Sequence, residues 1–123
     1  MICLDTNYLI LGLVEGSAES AELLKWVNSG ETLVTTSTSW FEFLCGPVTP
    51  AQTHTMRSFV RHILPFEEAQ AAVAAGLFNA TGRKRTLRVD SMIAGAAMVA
   101  GASLATSNRG DFAAFVPHGL KLA

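Results

Sequence analysis

Short β-type runs alternate with helix-type segments along this chain, and that alternation restricts the fold more than any other feature. Ile2, Cys3 and Leu4 form an apolar run that stops at Asp5. Residues 6–14 then read as a helix ended near Gly16, and residues 18–28 as a second helix with Gly30 in a C-terminal position. A β-branched run over residues 32–36 is the next strand. Ser39-Trp40-Phe41-Glu42 opens a short helix that closes at Gly46-Pro47. Thr49 before Pro50 sets an N-cap residue ahead of a proline at the first helical position. Met56, Phe59, Val60 and Ile63 then recur at the i, i+3, i+4, i+7 spacing of one helix face. A short strand is expected over residues 63–66, and Glu67 and Glu68 begin an alanine-rich helix that stops near Gly82. Asp90 precedes a segment, residues 91–102, that is apolar almost all round and so is expected to be a buried helix. Residues 103–106 and 120–122 supply the last strands. Strands separated in this way by helices form a parallel sheet covered on both faces. The expectation is an α/β, three-layer fold in which residues 1–123 make one domain.

Composition narrows the function classes. Half of the residues are hydrophobic and 15% are charged, a globular rather than a disordered balance. The two cysteines, Cys3 and Cys45, sit in apolar runs far apart and form no metal-binding pattern, so both are expected to be buried thiols. The opening MICLDTN has no basic stretch and meets an acid at Asp5, unlike a signal peptide. The most apolar stretch, residues 92–105, is shorter than the ~20 residues of a membrane span. A soluble, cytoplasmic protein is expected. The net charge of −1 does not by itself indicate a nucleic-acid binder. Arg83, Lys84, Arg85 and Arg88 nevertheless place four of the nine basic residues within six positions. Such a run is either a solvated loop or, beside a catalytic site, a phosphate-contacting patch.

The acids carry the chemistry. The chain has three aspartates, Asp5, Asp90 and Asp111, each leading from a strand or loop end into an apolar helical segment. Of the seven glutamates, Glu42 stands apart, flanked by Trp40, Phe41, Phe43 and Leu44, and is expected to be buried. Each acid has an ordinary structural explanation. Asp5, Asp90 and Asp111 suit helix N-caps, and Ser39 with Glu42 fits a capping box. A parallel sheet gives them a second meaning, because ligands bind beyond the carboxyl ends of its strands where strand order reverses. Four acids brought to that edge repel one another unless a cation holds them, and all-oxygen ligands select Mg²⁺ or Mn²⁺.

LDTN at positions 4–7, Glu42, DSMIAG at 90–95 and TSNRGDF at 106–112 occur in the order in which PIN-domain proteins carry their motifs. Over nearly its whole length the chain resembles that family, and within it the VapC-type toxins of bacterial toxin–antitoxin pairs. The resemblance implies strand order 3-2-1-4-5, RNA cleavage dependent on Mg²⁺ or Mn²⁺, inhibition by a cognate antitoxin, and a homodimer. It implies metal-site and catalytic roles for Asp5, Glu42 and Asp90, with Asp111 or Asn108 in the fourth position. Thr106 and Asn108 take supporting roles, and Asn7 resembles a residue that orients Asp5. Arg83, Lys84, Arg85, Arg88 and Arg109 become candidate RNA contacts beside such a site. Two other classes compete with a ribonuclease. A Mg²⁺-dependent phosphatase or phosphotransferase would share the acid after the first strand, but it needs a second acid where Asn7 stands. A PIN-like domain that binds RNA or protein without cutting would keep the fold alone. His54, His62 and His118 are too scattered to support a metal-free ribonuclease.

Overall fold

The computed structural model describes residues 1–123. Strand β1 (Ile2–Leu4) is followed by helices α1 (Thr6–Leu11) and α2 (Ala18–Asn28) and by β2 (Leu33–Thr36). Helices α3 (Ser37–Cys45) and α4 (Pro50–Phe59), strand β3 (His62–Leu64) and helix α5 (Glu68–Ala80) come next. A 3₁₀ turn at Arg85–Leu87 leads into α6 (Arg88–Val99), β4 (Ser103–Ala105), the single turn α7 (Arg109–Phe112) and a closing 3₁₀ segment, Ala113–His118. No helix is long and apolar enough to cross a membrane.

The caps explain most boundaries. Ser17 caps α2 through Ser20 N–H, and Thr49 with Gln52 forms a reciprocal capping box on α4. Helix α1 is shorter than expected, because the Ser17 hydroxyl also donates to the Leu11 carbonyl and Gly12 N–H closes back on Tyr8. Helix α3 starts earlier than expected. Its cap is Thr36, whose hydroxyl accepts from Ser39 N–H, so the Ser39–Glu42 capping box does not form.

All strand pairs are parallel, in the order β3-β2-β1-β4. Cys3 is level with Val34 on one side and Leu104 on the other. Alternating side chains divide the core between the two faces. Cys3, Val34 and Leu104 pack with Leu77, Ile93, Ala97 and Phe112, while Ile2, Leu4 and Leu33 pack with Leu9, Leu23, Phe43 and Met56. Helices therefore cover both faces, as the three-layer expectation requires. The fifth strand does not form. Leu120 turns into the core and gives its N–H to Phe115, which leaves a lone bridge between Leu122 and Leu104.

Helices α5 and α6 touch most closely at Gly95. A Cβ there would lie 2.9 Å from the Ala74 nitrogen and 3.0 Å from its methyl carbon. Only hydrogen at position 95 admits this approach.

Cys3 is buried as expected, but Cys45 is exposed. It ends α3 on the side away from Phe43, which is fully buried. An apolar neighbourhood in sequence did not make it a core residue.

Candidate metal centre

Strand β1 lies between β2 and β4, so strand order reverses beside it. Chain leaving the carboxyl ends of these three strands delivers Asp5, the start of α3 and Thr106 to one edge. This is the place where open α/β sheets bind ligands.

Asp5 is the anchored member, only 6% exposed. It caps α1, with Oδ1 accepting from Thr6 N–H at 2.8 Å, while Oδ2 accepts from Thr106 Oγ at 2.8 Å. Burial raises its pKa above the ordinary value of 3.8, the Thr106 and Thr6 hydrogen bonds oppose that rise, and the Glu42 charge adds to it. The N-cap role leaves acceptor positions free on Asp5, since a carboxylate has about four. Burial, with Asp5 adding its charge, also pushes the neighbouring Cys3 thiol up to about 12, which leaves it inert.

Glu42 is exposed rather than buried. On a helix its sequence neighbours point elsewhere: Phe43 enters the core, while Phe41 is 66% exposed. Glu42 is tied to the site by Thr6, whose hydroxyl donates to Glu42 Oε1 at 2.8 Å. One residue thus links both acids, through its N–H to Asp5 and its hydroxyl to Glu42. An open groove of about 410 Å³ runs past Glu42, lined by Ser37, Thr38, Phe41, Val89 and Met92.

Asp90 does not cap α6. The helix begins two residues earlier, Leu87 occupies the cap position without a side-chain bond, and Asp90 lies in the first turn. Its pKa is pushed up to about 6, by burial first and then by the charges of Asp5, Asp111 and Glu42. Those causes place Asp5, Asp111 and Glu42 within electrostatic reach of Asp90.

Asp111 is exposed at the start of α7 and accepts from Asn108 Nδ2 at 2.8 Å. Asn108 N–H in turn donates to Thr106 Oγ at 2.9 Å. Asn108 therefore spends its amide on holding Asp111, which leaves the carboxylate as the charged group of the pair. Asn7 is exposed and makes no hydrogen bond to Asp5; Thr6 and Thr106 do the orienting instead. Thr106 was expected beside the acids, whereas Thr6 was not singled out. A threonine after the first acid was the available signal, but its two partners are set by tertiary structure.

No three aspartate, glutamate, histidine or cysteine side chains come close enough together to hold a metal ion among them. The donor set still suits a hard cation that keeps several waters and takes only one or two carboxylates directly. Oxygen donors, mutual repulsion among the acids and a carboxyl held near 6 all fit such an ion.

The basic cluster is exposed at Arg83, Lys84, Arg85 and Arg88, and none of the four is in an ion pair. Arg88 stacks over Phe78, 5.6 Å from the ring centroid, two residues before Asp90. Arg109 is exposed beside Asp111 and donates to the Ala123 carbonyl at 2.8 Å.

Residues 2–115 match the sequence profile of the PIN domain. The chain belongs to the PIN domain family. Solved structures carry the same fold at low identity. VapBC2 from Rickettsia felis, bound to a DNA fragment from its promoter, is 20% identical with a TM-score of 0.75, covering 100% of this chain and 98% of that one. FitAcB from Neisseria gonorrhoeae is 22% identical with a TM-score of 0.71, covering 99% and 96%. A toxin–antitoxin complex from Klebsiella pneumoniae is 23% identical with a TM-score of 0.67, covering 92% and 91%. No curated protein matches this PIN domain by sequence.

Proposed function

We propose that this PIN domain is a divalent-cation-dependent endoribonuclease of the VapC type, the toxin component of a toxin–antitoxin pair. The observation that carries the reading is Asp90, pushed up to about 6 with Asp5, Asp111 and Glu42 all contributing. Acids that destabilise one another at neutral pH are arranged for a positive charge. Asp5, Glu42, Asp90 and Asp111 would hold Mg²⁺ or Mn²⁺, with Thr6, Thr106 and Asn108 orienting them. Such an ion lowers the pKa of a bound water and neutralises phosphate charge. Glu42 and Asp111, the exposed members, would take the proton of the attacking water. Asp5 is fixed on both oxygens and serves to position. In-line attack by water leaves a 5′-phosphate and a 3′-hydroxyl. Arg83, Lys84, Arg85, Arg88 and Arg109 would hold the RNA backbone.

The partner reading has separate support. The Klebsiella pneumoniae structure is a toxin–antitoxin complex, and this chain exposes apolar side chains at Ile10, Val14, Leu24 and Val27 on α1, α2 and their connection. A cognate antitoxin and a second copy of the chain are the expected occupants of such surface.

The test is cleavage of a labelled structured-RNA pool with Mg²⁺, Mn²⁺ or EDTA, comparing wild type with Asp5→Asn and Asp90→Asn. Cleavage that needs the cation and both carboxylates, with 5′-phosphate ends, is expected. A 2′,3′-cyclic phosphate product, or cleavage indifferent to EDTA and to both substitutions, would overturn the reading. RNA binding without cation-dependent cleavage would instead favour a non-catalytic PIN domain.

A further inference from the structure

Ser39 is fully enclosed, and its hydroxyl is the one buried side-chain polar atom without a hydrogen-bond partner. Buried polar groups are almost always paired, so an unpaired one needs a reason. Helix capping is not the reason. Ser39 uses its backbone N–H on Thr36 Oγ at 3.0 Å, and the hydroxyl takes no part in that bond.

Position places the hydroxyl at the acidic centre. Ser39 and Glu42 are three residues apart on α3, on one side of the helix and one turn apart. Glu42 is bonded to Thr6, and Thr6 to Asp5. The Ser39 hydroxyl lies near enough to the Asp5 carboxylate to favour its ionised form, although it forms no full hydrogen bond there. Asp5 has acceptor capacity left, since each oxygen carries one protein hydrogen bond.

We propose that Ser39 is a positioning residue for the cation site, its hydroxyl turned to the Asp5 carboxylate and holding that carboxylate toward the ion. The inference rests on reading the four acids as a cation centre. Thr6, Thr106 and Ser39 then approach Asp5 from α1, the loop after β4, and α3. Ligating carboxylates are commonly held in this way, and loss of one such partner weakens metal affinity.

The experiment is Mn²⁺ titration calorimetry on the full chain, together with thermal unfolding with and without Mn²⁺. It compares wild type, Ser39→Ala and the closer-sized Ser39→Cys. Removing an unpaired buried hydroxyl should leave cation-free melting unchanged or higher, while Mn²⁺ affinity falls about tenfold in Ser39→Ala. The Mn²⁺-induced rise in melting temperature should shrink in step. Unchanged affinity in both variants would overturn the proposal. So would an affinity loss matched by an equal loss of cation-free stability, which would make Ser39 a packing residue of α3. A folded wild type that takes up no Mn²⁺ would overturn the reading of the centre itself, a result distinct from the other two.

Discussion

Folding moves the Asp90 carboxyl from 3.8 up to about 6, so between those values the folded chain binds a proton that the unfolded chain releases. A carboxyl raised in this way contributes its stability below 3.8 and loses it as pH climbs through about 6. Asp5 is shifted in the same direction, chiefly by burial. Without divalent cation, melting temperature should therefore fall as pH rises across that window. Asp90→Asn should flatten the fall and melt higher than wild type at neutral pH. Added Mg²⁺ should reverse the trend in wild type only, because the ion competes with the proton for the carboxylate. Melting curves across pH, with Mg²⁺ and with EDTA, check both signs. Stability without cation that rises over the same interval would contradict this account of Asp90.

Among the helices, α5 and α6 offer two glycines that the same substitution should move in opposite directions. A Cβ at position 95 would lie 2.9 Å from the Ala74 nitrogen, so an added methyl must push two helices apart. Gly95→Ala should cost about 1–3 kcal/mol as overpacking, more than the ~1 kcal/mol that alanine gains in helix propensity. Gly76 has nothing within 4 Å of its would-be Cβ, so Gly76→Ala should keep that gain and stabilise. Urea denaturation of both variants tests the pair. Because α6 carries Asp90, Gly95→Ala should also weaken Mn²⁺ binding, whereas Gly76→Ala should leave it alone. Helix α3 gives the complementary lesson. Its start at Ser37 under a Thr36 cap turns Ser39 inward beside Asp5, whereas a start at Ser39 would have made that serine a surface cap.

Across the whole molecule, an overall charge of −1 hides a division between an acidic sheet edge and an unpaired basic run. Arg83, Lys84 and Arg85 precede α6, and Arg88 opens it, so one helix start carries both the cations and Asp90. RNA held there should release counterions, and replacing Lys84 and Arg85 by glutamine should weaken binding while making it less sensitive to salt. The expected change in the log–log salt slope is about 0.7 per charge removed for single-stranded RNA. Binding isotherms at several salt concentrations, in Ca²⁺ to prevent turnover, measure it. An unchanged slope would return the run to a solvated loop. The substitutions should leave Mn²⁺ affinity intact, since neither residue touches the acids.

The element order and the parallel sheet were legible because they are local: Asp5 stops a short apolar run, Thr49-Pro50 starts a helix, and Gly30 ends one with φ near 80°. Asp5, Asp90 and Asp111 were legible as candidates because aspartate is scarce here and each ends a segment. Glu42 was found for a reason that failed. Its aromatic neighbours suggested burial, yet helical geometry sends adjacent side chains in different directions and leaves it exposed. The family resemblance gave Asn7 the task of orienting Asp5, but the bonds come from Thr6 and from Thr106, which is 101 positions away. The missing fifth strand turned on whether Leu120 entered the core or the sheet, a choice made by packing against Phe115. Periodicity and caps act over a few residues and are written in the chain. The Asp90 pKa, the two bonds of Thr6 and the enclosed Ser39 hydroxyl exist only because strand order reverses at β1. That reversal brings distant segments to one edge, where charge and burial act through space and sequence separation no longer matters.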